Sequence, residues 1–387
     1  MRKLPSFLRK PNSNRARTND ANTMTETSAN LLDLDPEALA SYFEAHGQRG
    51  FRATQLIKWV HQQGVLDLAL MTNFGRGLRE LIETTTAFSF PEVMNCYEST
   101  DGTLKWLLRV DSGSAIETVF IPEMDRGTLC VSSQVGCALN CSFCATAKQG
   151  FSRNLTTAEI IGQVWVAARH LGQHPKTQRR ITNVVMMGMG EPLLNFTSVV
   201  AAMKLMLDDN GYNLGRKRVT LSTAGHVPGI DLLRETCPVS LAVSLHAPDD
   251  DLRDELVPLN RTYPIAELLD ACRRYVSNNP HDQITFEYVM LDGVNDTPAH
   301  ARRLARILRG IPAKMNLIPF NPVVGAPYRR STPAAIDIFR RELAGAGLLT
   351  ITRKTRGEDI DAACGQLVGQ VVARSARQRR QQAALNA

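Results

Sequence analysis

The sequence lacks every segment that would place it in a membrane or send it for secretion. No apolar run approaches the ~20 residues that cross a bilayer. The basic start at residues 1–5 is not followed by the apolar stretch of a signal peptide. Eight cysteines are present, and without a signal they are expected to stay reduced, as ligands or catalysts rather than disulfides. We therefore expect a cytoplasmic protein that does not bind membranes.

Most of the chain has no excess of basic residues, although the net charge of the whole chain is +7. Residues 1–20 and 371–387 together hold ten bases and one acid, so the other residues hold 35 bases and 37 acids. The high pI therefore belongs to the tails and is weak support for polyanion binding by the folded part. Such tails are solubilising or contact nucleic acid. Met24 offers an alternative start.

The chain length of 387 residues allows one large domain and a smaller one. We expect a disordered basic tail at 1–34, a helical accessory domain at 35–100, a core at 101–355 and a C-terminal segment at 356–387. In the accessory domain, helices are predicted from Asp35-Pro36, over Phe51 to His61 and near Arg76 to Thr86.

Strands and helices alternate along the core, which favours a parallel sheet covered by helices. Two strands come first, at 103–110 and 115–121. Six strand–helix units then start at strands 128–133, 181–187, 218–222, 239–245, 284–290 and 315–318. The predicted fold is α/β, a partial (β/α)6 barrel of the TIM type with a small N-terminal helical domain. In such barrels the chemistry lies at the carboxyl ends of the strands.

Three cysteines, Cys137, Cys141 and Cys144, stand close together after the first strand of this series. Thiolates are the ligands of iron–sulfur clusters, and three of them would leave one iron of a four-iron cluster open to a small molecule. A structural zinc site needs four ligands, and no second Cys or His pair at matching spacing stands here. Zinc and simple burial of three cysteines remain the alternatives.

Polar residues follow four of the predicted strands. Gly190 and Glu191 end one strand with a close backbone approach and a carboxylate that can accept from an ammonium group. The others are Ser222, the run Ser244-Leu245-His246, and Asn321. Each alone is more often a loop cap than a ligand. Together, at the carboxyl ends of four strands around one opening of the barrel, they predict a shared ligand site.

Three further residues are candidates for chemistry. Glu117 lies on a strand that is apolar on both faces, so it is either paired with a cation or used as a general base. Cys364 lies between small residues, as a mobile loop requires, and a buried free thiol is the alternative. Cys130 stands seven residues before Cys137 on a strand, so both could face one cavity.

These motifs resemble those of a known family. The triplet with Gly190-Glu191-Pro192 is similar to the radical S-adenosylmethionine (SAM) superfamily. Closer resemblance, to the RlmN family, rests on Cys130-Val-Ser-Ser-Gln-Val-Gly-Cys137, Val185-Met-Met-Gly-Met-Gly-Glu-Pro192, Ser244-Leu-His246, Asn316-Leu-Ile-Pro319 and Asp359-Ile-Asp-Ala-Ala-Cys364-Gly-Gln-Leu367. The likeness spans roughly residues 35 to 370.

The resemblance implies an enzyme that methylates carbon 2 of adenine in 23S rRNA and tRNA, in ribosome maturation and translational fidelity. It implies a [4Fe-4S] cluster on the cysteine triplet and two SAM molecules per turnover. Cys364 would carry the methyl group, Glu117 would remove the ring proton, and Cys130 would release the product through a transient disulfide with Cys364. The family's SAM contacts match Gly190, Glu191, Ser222, Ser244, Leu245, His246 and Asn321.

The same resemblance sets the expected partners. They are 23S rRNA, free of protein or in early assembly, and tRNA, with a flavodoxin-type reductant for the cluster, and we expect a monomer. RNA would contact the accessory domain at 35–100. The runs 216–218, 329–330 and 353–356 are basic and could neutralise phosphates near the mouth. Rival functions are a Cfr-like carbon-8 adenine methyltransferase, a ferredoxin-like electron carrier and a passive RNA-binding module.

Overall fold

The structure is a computed structural model, and it describes residues 30–111, 113–174, 177, 179–277 and 282–369. Residues 1–29 of the predicted N-terminal tail and the arginines at 374–380 lie outside these residues, so both tails stay predictions. Within the described ranges, no helix has the length and apolar character needed to cross a membrane.

Three helices form the N-terminal part of the chain, as predicted. They are α1 (Pro36–Ala45), α2 (Phe51–Ile57), which continues as a π-helical turn to Gln62, and α3 (Arg76–Thr85). The Asp35 side chain accepts from the Ala38 N–H at 2.9 Å and Pro36 occupies the first turn, which together start α1. Phe43 and Ile82 are fully buried and belong to the same core as the sheet.

Ten strands form one open sheet. In chain order its strands are β1 (Glu92–Glu98), β2 (Leu104–Arg109), β3 (Ala115–Pro122), β4 (Gly127–Cys130), β7 (Asn183–Met186), β8 (Val219–Thr223), β9 (Ser240–Ser244), β10 (Ile284–Met290), β11 (Ala313–Pro319) and β12 (Leu349–Thr352). The strands neighbour each other in this order. The first three pairs are antiparallel, and every pair from β4 onward is parallel. The carboxyl ends of the parallel strands therefore share one edge.

Helices connect the parallel strands and cover the sheet. They are α5 (Thr157–His170), α6 (Phe196–Leu207), α7 (Val227–Thr236), α8 (Asp250–Leu256), α9 (Ile265–Val276), α10 (Pro298–Ile307) and α11 (Pro333–Gly345). The six predicted units of the partial barrel are all present. β1, β12 and α8 were not predicted, and β1 lies within the segment that was expected to be helical.

A separate two-stranded hairpin holds the cysteine triplet. It pairs β5 (Gln134–Gly136) with β6 (Phe151–Asn154), and between them runs the short helix α4 (Ala145–Lys148). Gly136 has φ 75°, and a Cβ there would stand 1.8 Å from the carbonyl oxygen of Gly150. Only glycine fits such a position, so the hairpin closes tightly at the base of the cysteine loop.

Candidate active site

The cysteine loop, residues 137–144, connects β5 to α4 and lies between the β5–β6 hairpin and the helices that follow β9. Its first cysteine donates its backbone N–H to the Gly150 carbonyl at 3.0 Å, and the Cys144 N–H bonds to the Cys141 carbonyl at 3.2 Å. Ser142 donates its backbone N–H to Leu256, the last residue of α8, at 3.2 Å. These backbone bonds hold the loop at the carboxyl ends of the parallel strands.

A cavity of about 170 Å³, partly open to solvent, lies over these strand ends. Cys137, Cys141 and Cys144 form one side of its wall. Of the other predicted site residues, Gly190, Glu191, Ser222, Ser244, His246, Asn321 and Cys364 also line it. The structure thus gathers residues that are up to 227 positions apart in the sequence around one space.

The thiols of the triplet are poorly solvated. Burial raises the pKa of Cys137 to about 12 and raises the pKa values of Cys141 and Cys144 as well. A metal centre that binds these sulfurs must displace their protons and supply the positive charge that water does not. Among the described residues, no three His, Cys, Asp or Glu side chains converge on a single ion. Three thiols around one cavity suit a multi-iron cluster, whose ligands bind different irons.

Glu191 is the acid at the end of β7, and it is 3% exposed. Its carboxylate accepts from the backbone N–H of Ala224 at 2.8 Å and of Leu193 at 3.2 Å. Burial raises its pKa to about 7 despite these bonds. A carboxylate with so little solvent gains from a cationic group in the cavity, such as the ammonium of an amino acid.

His246 follows β9 in the left-handed backbone region, with φ 61°. Its Nδ1 accepts from the Val289 N–H at 3.0 Å, and Asn295 donates to its carbonyl at 2.9 Å. Burial lowers the pKa of the ring to about 3, so the imidazole is neutral at physiological pH. Its edge packs against Phe143 of the cysteine loop, with ring centroids 4.7 Å apart. The pair connects the loop to the strand ends.

Three predicted site residues do not line the cavity. The Leu245 side chain is fully buried in the core, and its backbone N–H and carbonyl bond to Glu287 and Arg253. Cys130 is buried on β4, and burial raises its pKa to about 12. Glu117 forms a buried ion pair with Lys105 at 3.1 Å, so the paired alternative is observed.

Cys364 lies on a loop, residues 362–368, that follows the last strand. Asn321 donates to the Cys364 carbonyl at 3.1 Å, so this amide binds the loop as well as facing the cavity. Further bonds join Ala145 N–H to Gly365 O (2.8 Å), Thr146 Oγ1 to Leu367 O (2.6 Å), Val368 N–H to Glu117 Oε2 (3.0 Å) and Gln366 Nε2 to Pro322 O (3.2 Å). The Cys364 loop is thus bound to α4, to β3 and to the end of β11.

The described cysteines are all free thiols, so no disulfide joins Cys130 and Cys364 in this state. The two sulfurs nevertheless interact electrostatically: Cys364 contributes to the raised pKa of Cys130, after burial, and Arg353 opposes it. A transient bond between these cysteines stays a prediction.

Two charged residues of the cavity wall were missed as site residues in the sequence. Glu287 lies on β10, is 4% exposed and accepts from Asn316 Nδ2 at 2.7 Å, and burial raises its pKa. It is a lone acid in an apolar strand, the same signal that marks Glu117 in the sequence. Arg353 follows β12, lines the cavity with Cys364, and interacts most strongly with that thiol. In the sequence, Arg353 stands out only as part of the basic run 353–356.

The three basic runs do not share one face. Residues 216–218 precede β8, at the amino end of the strands and away from the mouth. Residues 329–330 and 353–356 follow β11 and β12 at the carboxyl ends. Arg330 bonds to the Phe320 carbonyl at 2.7 Å and to Glu358 at 2.9 Å, which occupies its charge. Arg329 and Lys354 are exposed at this edge.

Two family profiles match the chain. Residues 131–305 match the radical SAM superfamily, and residues 29–87 match the ribosomal RNA large subunit methyltransferase N-terminal domain. The first match covers the hairpin, the cysteine loop and the strand ends up to β10. The second covers the helical part, α1 to α3.

One solved structure is similar over most of the chain, and others match about half of it. A radical SAM methyltransferase from Sphaerobacter thermophilus is 45% identical, with a TM-score of 0.81, and the match covers 88% of this chain and 99% of that chain. Streptococcus suis SuiB bound to S-adenosylmethionine is 12% identical (TM-score 0.43, 58% and 50% covered). A domain of pyruvate-formate lyase-activating enzyme from Bacteroides vulgatus is 17% identical (TM-score 0.34, 44% and 99% covered).

Members of the radical SAM superfamily use a [4Fe-4S] cluster and S-adenosylmethionine, and the residues present fit both. Cys137, Cys141 and Cys144 would hold the cluster, and the cavity beside them offers the buried carboxylate of Glu191. The 45% identity over 88% of this chain, with the two profile matches, settles the family. The chain belongs to the RlmN family, and it is a radical SAM RNA methyltransferase of that type.

Proposed function

We propose that this enzyme methylates carbon 2 of adenine in 23S rRNA and in tRNA, with Cys364 as the carrier of the methyl group. The observation that supports this most is the position of Cys364. It lines the same cavity as the three cluster cysteines although it lies 220 positions beyond Cys144. A thiol with only a structural role has no need of a place in that wall.

The chemistry of the base explains why a carrier is needed. Carbon 2 of adenine is an electron-poor ring carbon, so it does not attack the methyl group of a sulfonium ion. When bound, the cluster and SAM supply a radical that abstracts hydrogen. A methyl group already attached to Cys364 can then be activated beside the adenine, without leaving the protein first. The cavity, partly closed to water, keeps such a reactive carbon from side reactions.

Two further residues complete the proposed reaction. Glu117 removes the proton from carbon 2 after the new bond forms, with Lys105 as its counter-charge. Cys130 then attacks the sulfur of Cys364. The bond from that sulfur to the new carbon breaks, the carbon keeps the electron pair and takes up a proton to become the methyl group, and a thiol or protein reductant reduces the resulting disulfide between turnovers. Glu117 is already bonded to Val368 of the Cys364 loop at 3.0 Å, so a movement of this loop is coupled to its carboxylate.

The binding roles follow the cavity wall. Gly190, Glu191, Ser222, Ser244, His246 and Asn321 are proposed to contact SAM from this wall, and Leu245, which lies behind it, is proposed only by its match to the family's SAM contacts. RNA would approach the edge that exposes Arg329 and Lys354 and would also contact the N-terminal helices. A flavodoxin-type reductant, a monomeric state and a cytoplasmic location complete the proposal.

Mass spectrometry of digested RNA tests this function. Purified enzyme, loaded with iron and supplied with SAM and a reductant, is incubated with 23S rRNA fragments and tRNA. We expect 2-methyladenosine from both RNAs and none from a Cys364→Ala variant. Cys96→Ala is the matched control, because Cys96 is a half-buried thiol on β1 away from the cavity, and it should keep full activity. Product at carbon 8 alone, or unchanged turnover by Cys364→Ala, would refute the proposal.

A further inference from the structure

Arg253 is a fully buried arginine on α8, directly behind the wall of the cavity. Its guanidinium donates four hydrogen bonds to protein oxygens. The acceptors are the carbonyls of Ala224 (2.7 Å), Ser244 (3.0 Å) and Leu245 (3.1 Å) and Oδ1 of Asn260 (2.8 Å). Three of these are backbone groups just beyond β8 or at the end of β9, so one side chain joins the two strand ends.

The charge of Arg253 has no direct counter-ion. Among the ion pairs of the described residues, none includes this arginine, although Asp250 and Asp254 act on it from the same helix. Burial lowers its pKa to about 10, which still leaves it protonated at neutral pH. A buried cation without a carboxylate partner is costly, and neutral donors could join two strands at lower cost. The retained charge calls for a second role.

The cysteine loop packs on the same helix. Ser142 donates its backbone N–H to Leu256 of α8 at 3.2 Å. Leu139, Cys141 and Phe143 pack against the apolar cluster that contains Leu256. Cys141 has the largest charge interaction with Arg253, and the arginine in turn favours the thiolate of Cys141. The buried cation is therefore close enough to Cys141 to interact with its charge, and its helix packs on the cysteine loop.

We propose that Arg253 is a positioning residue with two effects: it fixes the ends of β8 and β9 against each other, and its charge raises the reduction potential of the cluster. Adding an electron makes the cluster and its thiolates more negative, and a nearby cation in a medium of low dielectric favours that state. Fixing the strand ends also holds Ser222, Ser244 and His246, which line the cavity and are proposed SAM contacts, in place relative to each other. The inference does not depend on which RNA is methylated, so its failure is separate from that of the proposed function.

The test compares Arg253→Met and Arg253→Lys in iron-loaded, full-length enzyme. The cluster's reduction is followed by electron paramagnetic resonance at set potentials, and SAM affinity by equilibrium dialysis. In Arg253→Met we expect the ratio of reduced to oxidised cluster at a fixed potential to fall at least tenfold, which is 59 mV for one electron. Arg253→Lys should keep most of the potential but bind SAM several-fold more weakly, because an ammonium cannot span four acceptors.

An unchanged potential in Arg253→Met, with normal iron content, would overturn the proposal. So would equal losses of potential in both variants, since geometry rather than charge would then set it. Arg253→Gln serves if the methionine variant does not fold, because it removes the charge but keeps an amide that can donate to the carbonyls around Arg253. Its potential should fall as in Arg253→Met, and no change would again contradict the inference.

Discussion

Lys105 and Glu117 form an ion pair between adjacent antiparallel strands, with Nζ and Oε1 3.1 Å apart and both side chains less than 9% exposed. Lys105 also donates to the Asp361 carbonyl at 3.2 Å, and Glu117 accepts from Val368 at 3.0 Å. The pair therefore holds the chain on both sides of Cys364. The candidate base Glu117 is therefore linked by hydrogen bonds to the loop that carries the candidate methyl carrier, Cys364.

Removing either partner of this pair should destabilise the protein, because a buried charge would be left alone. We expect about 3 kcal/mol from Lys105→Met, measured by urea unfolding. Glu117→Gln should cost less, since its amide oxygen still accepts from Val368. The double variant should recover part of the loss, and strictly additive effects would contradict the pairing.

Glu191 should make the protein less stable as the pH rises. Its folded pKa of about 7 lies above the unfolded value of 4.5, so the folded state binds the extra proton between these values. Stability relative to a Glu191→Gln variant should fall by about 3 kcal/mol from pH 4.5 to pH 7 and stay level above. Unfolding of the reduced, metal-free wild type and variant across this pH range measures the difference in stability. If the two stabilities changed in parallel with pH, a raised pKa of Glu191 would be excluded.

His61 should make the protein more stable as the pH rises, which is the opposite of the effect of Glu191. It is buried beside Tyr212, with Nδ1 and the hydroxyl 3.2 Å apart, and burial lowers its pKa to about 3. The unfolded chain takes up a proton below pH 6.5 while the folded chain does not, so this stability is present above pH 6.5 and lost on acidification. Between pH 6.5 and 5 the wild type should lose about 2 kcal/mol relative to His61→Gln. Equal losses in both proteins would refute the assignment.

The close approach of Gly136 to the Gly150 carbonyl predicts that a larger residue at position 136 will reduce iron binding. Gly136→Ala places a Cβ against the Gly150 carbonyl in a left-handed backbone, which should cost at least about 2 kcal/mol and lower the iron content after reconstitution. Gly215→Ala is the control, because a Cβ there meets no atom within 4 Å and φ is −67°. Full iron binding by Gly136→Ala would show that the hairpin tolerates a wider base.

The two ends of the parallel strands should differ in RNA binding. Replacing Arg329 and Lys354 with Gln removes charge from the cavity edge, so affinity should fall. The log–log dependence of affinity on salt should become shallower by about 1 for each phosphate that the variant no longer neutralises. The same exchange at Arg216 and Lys217, at the opposite end of the strands, should leave both quantities unchanged. Equal effects from the two pairs would place the RNA elsewhere.

The repeating strand–helix units of the parallel sheet were predictable because both local periodicity and burial on two faces mark them. β12 was missed because Leu349 and Ile351 are exposed, so the strand lacks the apolar run of a buried one. β5 and β6 are short and are held by contacts across the loop, which no local pattern records. Three consecutive acids cap and start α8, a pattern that is also typical of a loop, so Arg253 was missed with this helix.

The cavity wall was largely predictable because its residues follow strands at recognisable motifs. Arrangement within the wall was not. Leu245 belongs to a matching motif, yet strand alternation turns its side chain into the core. Glu117 was balanced between a base and a partner of a cation, and only the diagonal placement of Lys105 on β2 shows the pairing.

The Cys364 loop has a consequence for the order of assembly. Every strand of the sheet precedes Cys364 in the chain, so during synthesis the cluster loop and its strands can fold before the thiol has left the ribosome. The loop then docks onto α4 and β3, which were made more than 200 residues earlier. A chain interrupted before residue 364 would thus contain every strand of the sheet but lack the thiol that we propose as the methyl carrier, so this part of the cavity wall is the last to be made.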